Sequence, residues 1–144
     1  MKDYNAAFFG LYENLFITLK QELGEEEALE LFRKVMERGL KKAYDAAGFE
    51  KGSSREFARV VGERDESVGL KISFPVVEEN NIVYRFHTDP FPNLKGVVGA
   101  EELDDKYMRF KVGYLLGSEW GYETTTHLWR GGEFTEHIIY RKKY

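Results

Sequence analysis

The sequence predicts an α+β protein, and three observations support this prediction. Apolar residues recur every three or four positions in the first part of the chain, which is the period of amphipathic helices. Four segments in the second part carry strand-like patterns, grouped as two hairpins around turn residues. The chain has 144 residues, of which 42% are hydrophobic, and this is enough for one core. We therefore predict that residues 1–144 form a single domain. It has an N-terminal helical hairpin and a mainly antiparallel four-stranded sheet with helices on one face.

Two helices open the chain. The first runs from about Asp3 to Leu23 and stops at Gly24, and the second follows at once and ends at Gly48. Because the turn between them is very short, the two helices should lie antiparallel.

The first helix has a broader apolar stripe than one contact requires. Phe9, Phe16 and Ile17 widen the stripe, so the helix is either deeply buried or shared with a second subunit. The second alternative predicts a homodimer through this helix.

A shorter third helix is predicted from about Ser54 to Asp65. The Ser53-Ser54-Arg55-Glu56 segment has the spacing of a capping box. Gly62 is expected to weaken the second half of this helix.

The first strand pair spans Lys71 to Val76 and Ile82 to Thr88. Pro75 favours an edge position or a bulge. A three-residue loop would pair Val76 with Tyr84 and Phe74 with Phe86, which gathers the large apolar side chains on one face. We prefer this register to one that sets Phe74 opposite His87. It leaves three polar residues on the opposite face: Ser73, Arg85 and His87.

The remaining elements are a helix and a second hairpin. The helix spans about Glu101 to Leu116. The hairpin strands run from Tyr122 to Trp129 and from Glu133 to Arg141, around the turn signal Arg130-Gly131-Gly132.

Composition and charge exclude several classes of function. The net charge is −4, so the chain does not have the positive electrostatic field expected of a nucleic-acid-binding protein. No apolar run reaches the roughly 20 residues that a membrane-spanning helix needs. The absence of cysteine excludes disulfides and thiolate chemistry. We expect a cytoplasmic protein with no nucleic-acid or membrane partner. The many charged and few amide side chains resemble the composition of heat-adapted proteins.

No motif predicts a bound cofactor or metal. Gly96 and Gly99 lack the Gly-Lys-Ser/Thr sequence of a phosphate loop. The three histidines, His87, His127 and His137, lack metal-ligand spacing. A two-residue turn in the last hairpin places His127 and His137 on opposite faces, whereas a three-residue turn could place both on one face, and the sequence leaves this choice open.

Aromatic residues concentrate around both hairpins. Trp120, Tyr122 and Trp129 belong to the second hairpin, and Tyr84, Phe86 and Phe91 lie near the first. A curved aromatic sheet under helices commonly forms a small-molecule pocket, and the alternative is that these rings are plain core. Both interpretations hold where a pocket lies inside an incompletely filled core.

The second half of the chain resembles a known family. The quoted segments are Arg85-Phe86-His87-Thr88-Asp89-Pro90-Phe91 before a helix, then Gly131-Gly132 and Glu133-Phe134-Thr135-Glu136-His137 at the end. Over about Val68 to Lys142 the pattern is similar to the L-2-amino-thiazoline-4-carboxylic acid hydrolase family. More distantly, it resembles vinyl-reductase-type small-ligand-binding domains. Pro90, Gly132 and His137 match the family pattern, whereas Asp89 and Thr135 replace its cysteines.

The resemblance, the aromatic residues around both hairpins and the broad apolar stripe of the first helix together give three functional alternatives. The first is a small-molecule-binding domain whose ligand contacts Tyr84, Phe86, Phe91, Trp120, Tyr122 and Trp129. The second is a hydrolase of a small cyclic amidine or amide-like acid, in which His87, Asp89 or His137 activates water. The hydrolase alternative predicts a carboxylate or histidine with a perturbed pKa inside the pocket. The third is a homo-oligomerisation module.

Overall fold

Four helices and four strands form the fold. A computed structural model describes residues 2–143. The helices are α1 (Ala6–Leu23), α2 (Glu25–Ala47), α3 (Ser54–Ser67) and α4 (Ala100–Leu115). The strands are β1 (Ile72–Glu78), β2 (Asn81–Phe86), β3 (Trp120–Thr126) and β4 (Thr135–Arg141). The α+β prediction is confirmed. Two single-turn 3-10 helices, Pro92–Leu94 and Leu128–Arg130, were not predicted.

The strands form one antiparallel sheet in the order β1-β2-β4-β3. Helix α3 packs on β1 and α4 packs on β3, while α2 contacts both α3 and α4 and α1 packs on α2. The buried sheet residues Ile82, Tyr84 and Ile139 are fully inaccessible. Within residues 2–143, no helix combines the length and the apolarity needed to cross a membrane.

Local hydrogen bonds set the helix ends. The Asn5 side chain accepts a hydrogen bond from the Phe8 amide at 3.0 Å, so α1 begins after Asn5 and not at Asp3. The Ser53 hydroxyl caps α3 by accepting from the Glu56 amide at 3.2 Å, as predicted. Helix α3 continues past Gly62 and the predicted end at Asp65 as far as Ser67. A Cβ at Gly62 would lie 3.5 Å from the Phe74 ring of β1, which is an ordinary van der Waals contact.

The broad apolar face of α1 is buried inside the protomer. Phe9 and Phe16 are 5% and 0% exposed, and Ile17 packs against the core from a partly buried position. Phe16 meets Phe32 of α2 edge to face, with ring centroids 5.7 Å apart. The protomer's own core therefore accounts for the wide stripe.

The predicted register of the first hairpin is wrong. Val76 pairs with Val83 and Glu78 with Asn81 across a two-residue turn, and a register shift between Ser73 and Val76 then pairs Ser73 with Arg85. The shift surrounds Pro75, which cannot donate to the ladder, and β1 is an edge strand as the proline predicted.

The second hairpin also differs from its predicted form. Strand β3 ends at Thr126, so Trp129 belongs to a 3-10 turn and not to a strand. Glu136 pairs with Thr126. A register shift between Thr124 and Thr126 turns the chain before His127, and both His127 and His137 become buried on the helix-covered side of the sheet.

Candidate functional site

A cavity lies between the helices and the helix-covered face of the sheet, partly open to solvent. The space within it that the centre of a water molecule can reach is about 80 Å³. One water needs roughly 10–15 Å³ on this measure, so the cavity admits several waters or a small organic molecule. Every helix contributes to its walls, together with β2, β4, the loop after β2 and the β3–β4 turn.

Aromatic side chains form much of the wall. They come from α1, α4, the end of β2 and the two loops; they are Phe8, Phe9, Tyr12, Phe86, Phe91, Tyr107 and Trp129. Phe91 lies at the centre of this set, with ring centroids 5.5 Å from Phe9, 6.0 Å from Phe32 and 5.8 Å from Tyr107. These rings give the cavity an apolar surface suited to the body of an organic ligand.

Charged and polar side chains interrupt this aromatic wall. They are Arg64, Asp65, Asp89, Asp104, Lys111, His127, Thr135 and His137. Burying charged groups is costly unless they are paired or hydrogen-bonded, so the partners of each group show which of them are already satisfied.

Asp65 and Lys111 form a buried cluster with Tyr84. The Tyr84 hydroxyl donates to Asp65 Oδ2 and accepts from Lys111 Nζ at 3.2 Å, while Lys111 Nζ lies 4.0 Å from Asp65 Oδ1. Burial raises the pKa of the Asp65 carboxyl and lowers the pKa of the Lys111 ammonium, and each charge opposes the shift of the other. Burial together with the nearby Asp65 charge keeps the pKa of Tyr84 well above its usual value, so this hydroxyl stays protonated.

The two buried histidines differ in their surroundings. His127 Nδ1 accepts from the Trp129 amide at 3.0 Å, so its proton lies on Nε2, which is 2.8 Å from Asp104 Oδ2. His137 Nδ1 lies 2.9 Å from the Thr124 hydroxyl, and its Nε2 bonds to no described residue. Burial lowers the pKa of His137 to about 4, so this ring is neutral at pH 7.

Asp89 holds two loops together. Its Oδ2 accepts from the Trp129 indole N–H at 2.7 Å, and its Oδ1 accepts from the Phe91 amide at 2.9 Å. The Glu13 carboxylate adds a second anchor by accepting from the Asn93 amide at 2.8 Å. The loop that carries Phe91 is therefore fixed against α1 and the β3–β4 turn.

Arg64 is the one charged group of the cavity whose side chain has no polar partner among residues 2–143. Its guanidinium forms no hydrogen bond or ion pair there, and its buried Nε is unsatisfied. The guanidinium carbon lies 5.1 Å from the centroid of the Phe8 ring. A desolvated guanidinium nitrogen without an acceptor is costly, and an anionic ligand would satisfy it.

The structure brings together five of the nine predicted site residues. Asp89, His137, Phe86, Phe91 and Trp129 line the cavity.

The other four predicted residues lie elsewhere. His87 is exposed and lies 2.8 Å from the Ser73 hydroxyl on the uncovered face. Tyr84 lies behind the cavity wall, where it bonds Asp65. Trp120 belongs to the core, and the Tyr122 hydroxyl donates to Asp105 at 2.5 Å.

Sequence reasoning missed Arg64, Asp65, Asp104 and Lys111. One signal was present, because Lys111 lies four residues after Tyr107 and four before Leu115 on the inward stripe of α4. Asp65 likewise follows Val61 by four on the stripe of α3. A charged residue inside an apolar stripe predicts a buried polar cluster.

Comparisons with known proteins add no family assignment. No protein-family model matches the sequence. No curated protein matches it significantly. Within the described residues, no three histidine, aspartate or glutamate side chains are placed to hold a metal ion.

Proposed function

We propose that the protein binds a small organic anion in the cavity. The anionic group would accept hydrogen bonds from the Arg64 guanidinium, and the apolar body would contact the aromatic wall. One observation carries the proposal: the buried Arg64 Nε has no acceptor among residues 2–143, whereas the other charged groups of the cavity have polar partners.

The chemistry of arginine favours a planar anion. A guanidinium presents its donors as a rigid fork that matches the two oxygens of a carboxylate. The Phe8 ring beside Arg64 supports one face of that fork. A ligand with a carboxylate on an aromatic or branched apolar body would place the carboxylate at Arg64 and the apolar body against the aromatic wall.

Benzoate and benzamide test the proposal, since they share a shape and differ in charge. We expect benzoate to bind about tenfold or more tightly than benzamide, because a hydrogen bond to a charged group contributes roughly 1.5–3 kcal/mol. Arg64→Met should remove this preference and Arg64→Lys should retain part of it. Titration calorimetry or ligand-observed NMR measures each dissociation constant.

Arg55→Met is the matched control, because Arg55 is an exposed arginine on the same helix. It should leave both dissociation constants unchanged. Equal binding of the two compounds by the wild-type protein, or a benzoate preference that survives Arg64→Met, contradicts the proposal.

Hydrolysis of a small cyclic acid is the second candidate function. Its support is that Asp65, a carboxyl with a raised pKa, and His137 both line the cavity. The roles first predicted for the other two residues are weakened, because His87 is exposed and both oxygens of Asp89 accept hydrogen bonds. The family resemblance and the hydrolase activity stay predictions.

The homodimer through α1 also stays a prediction. Its support changes from the buried Phe9 and Phe16 to the exposed apolar residues of the helical hairpin. Leu11 of α1 is 71% exposed, and Val35 of α2 is 43% exposed.

A further inference from the structure

Lys111 presents an amine to the cavity from the inward face of α4. The residue is only 4% exposed, and it lines the cavity. Its Nζ makes one hydrogen bond, to the Tyr84 hydroxyl, so two of its donor positions have no partner among residues 2–143. A lysine placed only for stability would be expected to saturate its ammonium group with carboxylate oxygens.

Burial shifts the protonation equilibrium of Lys111 towards the neutral amine. The Lys111 side chain is 4% exposed, and its Nζ lies over the rings of Phe86, Tyr84 and Tyr107, 5.2 to 5.7 Å from their centroids. These ring faces attract an ammonium and so oppose the effect of burial. Burial lowers the pKa of Lys111, and the carboxylates of Asp65 and Asp104 oppose that shift. Asp65 Oδ1 lies 4.0 Å from Nζ, without a direct hydrogen bond. Unprotonated lysines in apolar pockets are the nucleophiles that condense with carbonyl compounds.

We propose that Lys111 forms an imine with the carbonyl group of an aldehyde or oxo acid bound in this cavity. The inference rests on the proposed function, because it uses the same cavity and the same access for an organic acid. It narrows the ligand to one that carries both a carbonyl and an anionic group, with Arg64 on the anion and Lys111 at the carbonyl.

The step is balanced without an oxidant or reductant. The Nζ lone pair attacks the carbonyl carbon, a C–N bond forms, and the carbonyl oxygen takes a proton to give a carbinolamine. The nitrogen loses a proton. The hydroxyl then takes a second proton, the C–O bond breaks, and water leaves as the C=N bond forms. The iminium nitrogen finally releases its remaining proton to give the neutral imine. The Tyr84 hydroxyl lies between Nζ and Asp65, so these two groups can carry the proton between nitrogen and oxygen.

Reductive trapping tests the imine on the full protein. We incubate it with 4-carboxybenzaldehyde and cyanoborohydride at pH 7, then measure the intact mass and the peptide map. Trapping should add one group with the mass of the aldehyde less one oxygen, located on Lys111. Each unit by which the pKa is lowered raises the reactive fraction about tenfold, so Lys111 should react ahead of the exposed lysines.

Two lysine variants and a competitor complete the design. Lys111→Met should lose the modification, whereas Lys42→Arg, which changes an exposed lysine of α2, should keep it. Excess benzoate should slow the trapping. The peptide map of the wild-type protein identifies the modified lysine directly, so the test does not depend on whether Lys111→Met folds.

The two proposals fail in distinguishable ways. Modification spread over the exposed lysines, with benzoate still bound through Arg64, overturns the imine and leaves anion binding in place. Absence of both benzoate binding and Lys111 modification overturns both. Modification at Lys111 that benzoate slows supports both.

Discussion

At the scale of single residues, burial decides the chemistry of the cavity. Asp65, Lys111 and His137 are ordinary titratable residues, and each is at most 5% exposed. Removal from water disfavours the charged form of each group, so the pKa of the carboxyl is raised and the pKa values of the amine and the imidazole are lowered. The same desolvation strengthens any hydrogen bond that a ligand makes with Arg64.

His137 should make the protein less stable in mild acid. Its pKa is about 4 in the folded protein, below the ordinary value of 6.5, because burial disfavours the imidazolium. As the pH falls below 6.5, His137 becomes protonated in the unfolded chain but stays neutral in the folded protein. The free energy of unfolding therefore decreases until the pH reaches about 4, where the folded protein also binds the proton. Asp104 opposes this shift, whereas Lys111 and His127 add to it.

Replacing His137 by Asn isolates this effect. Between pH 7 and pH 4.5 the free energy of unfolding of the wild-type protein should fall by about 2–3 kcal/mol more than that of His137→Asn. Urea unfolding at the two pH values measures the difference. A parallel loss in both proteins would show that His137 does not carry the acid sensitivity.

At the scale of elements, irregularities position the site. The register shift between Thr124 and Thr126 turns the chain so that His127 enters the cavity, and the following 3-10 turn brings Trp129 to Asp89. A regular β3 would continue the alternation of faces and keep these residues in the sheet. The sequence predicted the hairpin from its glycines, but it could not show which side of the sheet His127 occupies.

Gly69 controls how the N-terminal segment packs beside α3. Its φ is +82°, and a Cβ there would lie 1.9 Å from the Asp3 carbonyl oxygen. Gly69→Ala should therefore lower the free energy of unfolding by about 2 kcal/mol or more, through backbone strain and steric clash. Urea denaturation followed by circular dichroism measures the change.

Gly113→Ala is the matched control for Gly69. Gly113 is an exposed position of α4, and a Cβ there would meet nothing within 4 Å. This substitution should stabilise the protein by about 0.5–1 kcal/mol, because alanine is the better helix former. Equal effects of the two substitutions would contradict the assigned close approach at Gly69.

At the scale of the whole molecule, most of the aromatic residues pack into one hydrophobic core, and this core contains the cavity. Phe16, Phe32 and Phe57 are fully buried, and they pack helices on one another and on the sheet. Close packing normally leaves few voids larger than a water molecule, so a charged cavity of this size marks a place where the fold departs from maximal packing. Such departures are concentrated at functional sites.

The predicted homodimer has a direct test at this scale. Leu11 is 71% exposed on α1, so Leu11→Glu should convert a dimer into a monomer in light scattering coupled to size exclusion. Val77→Glu is the control, since Val77 is 39% exposed on β1 and should not affect the mass. A wild-type protein that elutes as a monomer at high concentration contradicts the dimer.

The sequence by itself determined the helical hairpin, the capped third helix and the two strand pairs, and Pro75 indicated that β1 is an edge strand or carries a bulge. These depend on local periodicity, caps and proline, which act over a few neighbouring residues. It also indicated Asp89, His137, Phe86, Phe91 and Trp129 as site residues. Only the tertiary structure decided that Lys111, Asp65 and Arg64 meet at the same cavity, since they come from two helices and depend on how those helices pack. Registers and charge clusters are set by distant contacts, and local sequence patterns do not contain them.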